Sequence, residues 1–432
     1  MDFPHGAGLR DVACVIVWVN HAHGFADHEL PVRPLRHGGE NHDRYGRRQP
    51  RYALVSGAAG AADCDTYLHT QKSHDREPLQ PFLCPVSDCG DHSRQITTRK
   101  RETMIFNNIG PICTSLERFP RLSLGKFPSP VRSAMLENDF QFWIKDDGRC
   151  SEIYGGNKVR KLEYLLAAVQ QGRKSALVVH GDVESHTVQA CGMLGRKAGL
   201  DVHAVVFPYR GQSFRTPELA MLREMGVRIH HRSTMLATVL HAHWIGWRMK
   251  ACVVPLGAST PVATLGHVRA ALELVEQVRA GLLPQPRRIY IPFATGGSVA
   301  GLLIGLALAG ATTRVVAVQT VETIIANRRR LERLVKNTLS LLDLGEGSLE
   351  RYLNQLEMID GHQLGRGYRD VPTATRAAIS VATKHELCLD PAFSGKAFAA
   401  LLEALPQFPN GELLFWNTHD QHGPSAGSGG AQ

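Results

Sequence analysis

The chain lacks a long apolar run, which argues against a membrane span. Its longest apolar stretch, residues 299–311, is interrupted by three glycines, whereas a transmembrane helix needs about 18 or more apolar residues. Residues 12–19 are also apolar, but they lack the basic start and the small-residue cleavage site of a signal peptide. The sequence therefore predicts a protein that does not cross a membrane.

Cysteine is scarce and irregularly spaced. Nine cysteines without a repeated spacing favour reduced thiols in a cytoplasmic protein over a disulfide framework. Cys84 and Cys89 are at the edge of zinc-ligand spacing and have no second pair, so no metal site is predicted. The net charge of +9 comes without interleaved aromatic residues or a recognisable nucleic-acid module, so no nucleic-acid partner is expected.

Residues 1–103 differ in composition from the rest of the chain. They hold nine of the 21 histidines, and their 13 basic and 13 acidic residues cancel, so the net charge of +9 lies in residues 104–432. We expect 1–103 to be either a disordered extension or an upstream region absent from the native protein, which would then begin at Met104. Residues 423–432 are rich in Gly and Ser and are predicted to be a flexible tail.

From residue 140 onwards, short apolar runs alternate with segments of helical periodicity. Strands are predicted at 139–145, 176–180, 202–207, 227–230, 288–292 and 314–319, and helices at 157–171, 187–198, 216–225, 265–280, 299–309 and 327–342. Repeated β-α units of this length predict an α/β fold, with mainly parallel sheets covered by helices on both faces. Such sheets bind ligands beyond the carboxyl ends of their strands.

Residues 154–165 read YGGNKVRKLEYL, which places Lys158 behind Gly-Gly-Asn at the start of a basic amphipathic helix. The helix macrodipole disfavours further positive charge at this end and so lowers the cost of a neutral amine. A lysine must be neutral to attack a carbonyl group and form an imine. From this segment alone, an ordinary helix start with solvated basic residues is the alternative.

Two further motifs follow predicted strands. Residues 294–301 read ATGGSVAG, and small residues at a helix N-terminus expose backbone N–H groups that bind phosphate. A glycine-rich packing turn is the alternative, and the dinucleotide fingerprint G-x-G-x-x-G is absent. Residues 181–190 read GDVESHTVQA, where Ser185 at a helix start is suited to a carboxylate, with a plain N-cap serine as the alternative.

Together these motifs resemble those of the pyridoxal-phosphate (PLP) enzymes related to 1-aminocyclopropane-1-carboxylate deaminase and D-cysteine desulfhydrase, over most of residues 104–432. The resemblance implies a tryptophan synthase beta-like fold of type II, made of two three-layer α/β/α domains. A large domain of residues 104–154 plus 266–422 and a small domain of residues 155–265 are expected to enclose the cofactor. The resemblance also implies a homodimer.

The resemblance implies specific roles around the cofactor. Lys158 is expected to hold PLP as a Schiff base, with Asn157 beside it. Ser185 matches a serine that faces the substrate, whereas His186 replaces an asparagine that faces the phenolic oxygen of PLP. His186 is expected to donate a hydrogen bond to that oxygen and, unlike asparagine, to titrate near neutral pH. The cofactor phosphate is expected on the glycine-rich loop, at Thr295, Gly296, Gly297 and Ser298.

The chain departs from the family pattern near its C-terminus. Residues 389–396 read LDPAFSGK, with Phe393 where the family has a tyrosine and Ser394 where it has an acidic or hydroxyl residue. The closing strand has Asn417 and His419 on either side of Thr418, where the family has His-Thr-Gly. Thr418 or Ser394 is therefore expected to meet the pyridine nitrogen of PLP. A neutral hydroxyl leaves that nitrogen largely unprotonated, which makes the ring a weaker electron sink.

A weak electron sink suits reactions in which a good leaving group departs from the β-carbon. The sequence therefore predicts a PLP-dependent lyase or deaminase acting on a small amino acid, with desulfhydrase-like β-elimination to ammonia and a 2-oxo acid as the preferred reaction. Lys158 and Ser185 are the expected catalytic residues. The alternatives are 1-aminocyclopropane-1-carboxylate deamination, a PLP-binding protein with little turnover, and a non-catalytic α/β protein.

Overall fold

The structure is a computed structural model that describes residues 109–209, 212–344, 349–360, 363 and 365–422. The predicted extension at 1–103, with Cys84 and Cys89, and the predicted tail at 423–432 lie outside the described residues. In the described part of the chain, no helix is both long and apolar enough to cross a lipid bilayer.

The strands of the described residues form two sheets. In chain order they are β1 (Val131–Met135), β2 (Gln141–Asp146), β3 (Ala176–Asp182), β4 (Asp201–Phe207), β5 (Arg228–His231), β6 (Cys252–Val254), β7 (Arg288–Phe293), β8 (Arg314–Gln319), β9 (Leu356–Ile359) and β10 (Asn410–Asn417). The larger sheet has the order β1-β2-β10-β7-β8-β9, and the smaller has the order β5-β4-β3-β6. Only the pair β1–β2 is antiparallel within these sheets, so the expected, mainly parallel, α/β fold is confirmed.

The helices alternate with the strands along the chain. They are α1 (Gly110–Glu117), α2 (Asn157–Gln171), α3 (His186–Lys197), α4 (Pro217–Glu224), α5 (Met235–Met249), α6 (Pro261–Arg279), α7 (Gly297–Leu308), α8 (Arg328–Leu341), α9 (Leu349–Leu353), α10 (Thr373–Lys384) and α11 (Ser394–Ala404). The bounds predicted for α2 and β8 are confirmed, whereas α1, α5, α9, α10 and α11 were not predicted.

Each sheet has helices on both faces. Buried side chains of α2, α3 and α4 pack on one face of the smaller sheet, and those of α5 pack on the other. In the larger sheet, α6, α7 and α8 cover one face, while α10 and α11 cover the other. The smaller sheet lies wholly within residues 176–254, and the division into domains at 154/155 and 265/266 stays a prediction.

The long apolar run of the sequence forms α7, which is buried along its whole length. Its backbone lies directly on α6, because a Cβ atom at Gly301 would be 2.4 Å from the Cβ of His267, and one at Gly305 would be 2.6 Å from the Cβ of Ala271. The same helix α6 touches α2, where a Cβ at Gly266 would be 2.0 Å from a backbone oxygen. Helix α6 therefore fixes the start of α2 relative to the start of α7.

A buried group of four charges joins these elements. Arg160 of α2 donates hydrogen bonds to Asp147 at 2.8 and 2.9 Å, and to Glu273 of α6 at 2.9 Å. Lys145 of β2 also donates to Glu273, and the indole of Trp416 in β10 donates to Asp147 at 2.8 Å. Burial alone would raise the pKa of Asp147, but the charge of Arg160 outweighs burial and lowers it to about 2.

We predict that Glu273→Gln lowers the free energy of unfolding by about 3–5 kcal/mol, because it leaves the buried charges of Lys145 and Arg160 undercompensated. The matched control is Glu276→Gln on the exposed side of the same helix, which should change the value by less than about 0.5 kcal/mol. Urea denaturation measures both, and equal effects would contradict the role of the cluster.

The pH dependence of stability provides a second readout of this cluster. The folded-state pKa of Asp147 lies below its ordinary value of 3.8, at about 2, so its contribution is present above the ordinary value and is lost as the pH falls through the folded one. Asp147→Asn should lose stability at neutral pH and should flatten the decline of the unfolding free energy between pH of about 4 and about 2. An unchanged acid profile would contradict the assignment.

Candidate active site

A cavity of about 970 Å³ lies at the carboxyl ends of strands from both sheets. Its lining includes residues at or just after the ends of β3, β4, β6, β7, β8 and β10. This is the position expected for a ligand site in parallel sheets. Of the ten predicted site residues, nine line the cavity, and Ser394 does not.

Lys158 is the second residue of α2, and a very close-packed backbone positions it. A Cβ at Gly155 would lie 1.7 Å from the backbone oxygen of Gly148, and Gly156 has a φ of 85°, which side chains disfavour. The backbone N–H of Asn157 donates to the carbonyl of Thr418 at 3.1 Å. These contacts explain why the lysine follows two glycines and faces the cavity.

The surroundings of Lys158 favour the neutral form of its amine. Its Nζ donates a hydrogen bond to Oδ1 of Asn157 at 3.0 Å. Burial lowers the pKa of Lys158 to about 8, although the nearby charge of Asp390 opposes this effect. The neutral amine that an imine-forming nucleophile requires is therefore more accessible near neutral pH than it is for a lysine with the ordinary pKa of 10.5.

The glycine-rich loop lies between β7 and α7, beside this lysine. Gly296 has a φ of 85°, and the N-terminus of α7 follows immediately. The side chain of Asn157 donates to the hydroxyl of Ser298 at 3.1 Å, and the hydroxyls of Thr295 and Ser259 are 2.7 Å apart. The loop therefore presents hydroxyl and backbone N–H groups on one wall of the cavity, which is a suitable site for an anion.

Lys161 is a residue that the sequence analysis missed. It lies one helical turn after Lys158, and its Nζ donates to the carbonyl of Gly257 at 3.1 Å and contacts the hydroxyl of Ser259 at 3.3 Å. Burial first, and then the charge of Lys158, lower the pKa of Lys161 well below its ordinary value. The spacing of three residues from Lys158 on one helix face was the available signal.

Ser185 and His186 form the start of α3. Ser185 is the N-cap residue, and its hydroxyl makes no capping hydrogen bond within the helix. Burial lowers the pKa of His186 to about 4, with Asp390 opposing the effect. The expectation that His186 titrates near neutral pH is therefore wrong, because its ring is enclosed by protein. The neutral ring keeps one N–H that is able to donate a hydrogen bond.

Thr418 and Ser394, the two candidates for the pyridine nitrogen, lie in different surroundings. Thr418 lines the cavity, directly after β10. Ser394 is fully buried outside the cavity lining, and its hydroxyl donates to Oδ2 of Asp390 at 2.6 Å. Ser394 is therefore not brought to the cavity, whereas Thr418 remains the candidate.

A cluster of His186, Asp390 and His419 lines the cavity next to Lys158. One polar side-chain atom of each residue, a ring nitrogen of each histidine and a carboxylate oxygen of Asp390, lies within 4.8 Å of the other two. The Asp390 carboxylate already accepts hydrogen bonds from the backbone of residues 392–394 and from the hydroxyl of Ser394. These four bonds hold the carboxylate in one orientation within the cluster.

A polar bridge crosses the cavity from the smaller sheet to the loop that follows β9. Tyr368 donates a hydrogen bond to Asp182 at the end of β3, and Arg369 pairs with both Asp182 and Glu184. Burial first, and then the charge of Asp182, raise the pKa of Tyr368 far above its usual range. Phe393 lies between two rings of the cavity wall, with centroids 5.7 Å from Tyr368 and 5.8 Å from His186.

The chain is similar to several known proteins. A putative 1-aminocyclopropane-1-carboxylate deaminase of Pyrococcus furiosus is 29% identical over 317 residues, which covers 70% of this chain and 92% of the relative. A D-cysteine desulfhydrase of Serratia proteamaculans is 29% identical over 329 residues, which covers 70% of this chain and 94% of the relative. The crystal structure of an ACC deaminase homologue is similar with a TM-score of 0.62 and 25% identity, covering 71% and 94% of the two chains.

The family profile described as "Pyridoxal-phosphate dependent enzyme" matches residues 122–418, which contain both sheets and the whole set of predicted site residues. The fold of the chain is that of the ACC deaminase-like, tryptophan synthase beta-like PLP enzymes of fold type II. The cofactor of this family is pyridoxal phosphate. The chain therefore belongs to the pyridoxal-phosphate dependent enzyme family.

Proposed function

We propose that the protein is a lyase that eliminates a β-leaving group from a small amino acid and releases ammonia and a 2-oxo acid. The observation that carries the proposal is that Thr418, the residue expected to meet the pyridine nitrogen, lines the cavity. A neutral partner there gives a weaker electron sink. A weak sink suits the loss of a good leaving group such as sulfide.

The residues present fit PLP. A side chain at residue 297 would fill the space beside the loop, because a Cβ there would lie 2.6 Å from the hydroxyl of Ser259 and 2.8 Å from Nζ of Lys161. Gly297 leaves this space open, so the loop of Thr295 to Ser298 has room for an anion. Backbone N–H groups at the start of α7 and the ammonium of Lys161 suit a phosphate dianion. Lys158, whose pKa is about 8, supplies the amine that holds the cofactor covalently.

When bound, PLP withdraws electrons from the substrate's α-carbon and so eases the departure of a proton there and of a group at the β-carbon. Lys158 takes that proton at its Nζ once substrate has displaced it from the cofactor. The hydroxyl of Ser185 and the N-terminus of α3 bind the substrate carboxylate. His186, which is neutral, donates to the phenolic oxygen of the cofactor.

The missing tyrosine at residue 393 favours elimination over opening of a cyclopropane ring. Phe393 has no hydroxyl to move a proton, and the hydroxyl of Tyr368 is engaged as a donor to Asp182. Deamination of 1-aminocyclopropane-1-carboxylate is the second candidate, and the name of the Pyrococcus furiosus relative supports it. A homodimer and a cytoplasmic location are further proposals that rest on the resemblance and on cysteine usage.

We predict that Lys158→Ala abolishes the visible absorption band of covalently held PLP and lowers turnover at least about 10³-fold, because it removes both the attachment point and the base. Purified protein is incubated with PLP and assayed for ammonia, sulfide and 2-oxo acid with D-cysteine, L-cysteine and 1-aminocyclopropane-1-carboxylate. The control is Lys197→Ala, an exposed lysine at the end of α3, which should match the wild type.

The outcomes of this assay separate the candidate functions. Sulfide and ammonia from one enantiomer of cysteine would support the proposal, whereas ammonia from the cyclopropane alone would favour the deaminase. An absorption band without ammonia from any of the three substrates would indicate a PLP-binding protein with little turnover. Full activity in Lys158→Ala would contradict the assignment of that lysine.

We also predict that Lys161→Met weakens PLP binding by about ten- to a hundredfold, because a charge-assisted hydrogen bond to phosphate contributes about 1.5–3 kcal/mol. The affinity is measured by titrating apoprotein with PLP and following the absorption band. Free pyridoxal, which lacks the phosphate, is the control ligand, and its affinity should change little. An equal loss with both ligands would contradict a contact between Lys161 and the phosphate.

A further inference from the structure

A reaction that expels a group from the β-carbon needs a proton donor unless the leaving group is a stable anion. Three aromatic side chains near His186 do not supply one. Phe393 carries no hydroxyl, Tyr368 donates its proton to Asp182, and Tyr154 donates its proton to the carbonyl of His186 at 3.2 Å. The imidazole of His419 also lines the cavity and carries an exchangeable proton.

The geometry of His419 sets it apart from the other cavity histidines. Its Nδ1 lies 3.6 Å from Oδ2 of Asp390 and is buried without a hydrogen-bond partner. The backbone holds the residue in place, since its N–H donates to Oδ1 of Asn417 at 3.2 Å. The neighbouring carbonyl of Thr418 accepts the N–H of Asn157 at 3.1 Å, so His419 sits beside the turn that carries the catalytic lysine.

The carboxylate of Asp390 is held in its ionised form and faces the imidazole of His419. Its carboxylate accepts the backbone N–H groups that precede and begin α11, together with the hydroxyl of Ser394. Burial would raise the pKa of Asp390, but His186, His419 and Ser394 outweigh it and lower the value to about 2. The carboxylate therefore lies as a fixed negative charge 3.6 Å from the Nδ1 of His419.

The other charged groups around the pair do not replace His419 as a proton donor. From α2, the amine of Lys158 faces the cluster, and from the loop after β9 the guanidinium of Arg369 adds positive charge. Asp420 is engaged by the backbone N–H of Gly155 at 2.8 Å and by the exposed ring of His422 at 2.7 Å. His186, whose pKa burial lowers to about 4, is a neutral imidazole rather than an imidazolium near neutral pH.

We propose that the Asp390–His419 pair is the proton donor to the leaving group, with His419 as the catalytic residue and Asp390 as its positioning residue; this rests on the proposed β-elimination. As the bond from the β-carbon to the leaving atom breaks, its electron pair stays on that atom, and the proton of the His419 imidazolium joins it. The leaving group departs as a neutral molecule, such as hydrogen sulfide or water. His419 is left neutral and regains its proton from solvent.

The test varies the leaving group in the PLP-loaded protein. Hydroxide from serine needs a proton in order to leave, whereas chloride from 3-chloroalanine does not. His419→Gln and His419→Ala are compared with the wild type by coupled assay of pyruvate, using both enantiomers of each substrate. We expect at least about a hundredfold loss with serine, because general acid catalysis contributes about 10²–10⁴-fold, and less than about threefold loss with 3-chloroalanine.

Three controls accompany this comparison. The visible absorption band of bound PLP should be the same in the variants and the wild type, which shows that the cavity is intact. Imidazole added to His419→Ala should restore part of the turnover of serine, because it replaces the missing proton donor. His422→Asn, which removes an exposed histidine at the cavity edge, should behave as the wild type.

The outcomes distinguish this inference from the proposed function. If the wild type forms no pyruvate from 3-chloroalanine, the proposed elimination is itself wrong. If the wild type is active and the variants lose serine and 3-chloroalanine turnover equally, or lose neither, the proton-donor role is wrong. Loss of wild-type activity with a chelator and its return with zinc ions would overturn the inference in favour of a metal at the same three residues.

Discussion

The pairing of Arg160 with Asp147 and Glu273 is the constraint on which the arrangement of the site depends. Moving charges into a protein interior costs several kcal/mol each, and the cost is offset only when partners with good geometry are present. The guanidinium therefore holds β2, α2 and α6 in one arrangement. Because Arg160 lies two residues after Lys158, the same contacts fix where the amine of Lys158 emerges into the cavity.

The basic side chains of helix α2 lie in two different environments. Lys158 and Lys161 are three residues apart and share the face that lines the cavity, whereas Arg160 points to the carboxylates behind the helix. Burial lowers the pKa of both lysines. The pKa of Arg160 is raised instead, because Asp147 and Glu273 outweigh its desolvation. The pKa of Arg160 shifts in the opposite direction from those of the two lysines because Arg160 forms ion pairs with two carboxylates.

Local features of the sequence predicted much of the fold and most of the residues that the structure brings to the cavity. Alternating apolar runs and helical periodicity are short-range signals, and they gave the bounds of α2 and β8. The glycine-flanked Lys158 and the loop at residues 294–301 are contiguous motifs, and the structure brings both to one cavity. Such signals depend only on neighbouring residues, so a single sequence contains them.

Long-range features were not predictable in the same way. Asp390 and His419 are far apart in the chain and meet only because α11 and β10 converge at the cavity. The error on His186 has the same origin, since its pKa depends on how much protein surrounds the ring. Ser394 was placed at the cofactor by motif alone, yet the hydroxyl is buried and bonded to Asp390. Burial and tertiary partners decided these cases.

The buried position of Lys161 has a consequence for the lifetime of the protein in a cell. Among the described residues no carboxylate forms an ion pair with this lysine, and burial lowers its pKa, so a bound anion is what would favour its charged form. A ligand that binds the folded chain and not the unfolded chain shifts the folding equilibrium by mass action. A phosphate-bearing ligand held at Lys161 would therefore leave less of the chain unfolded and open to proteolysis.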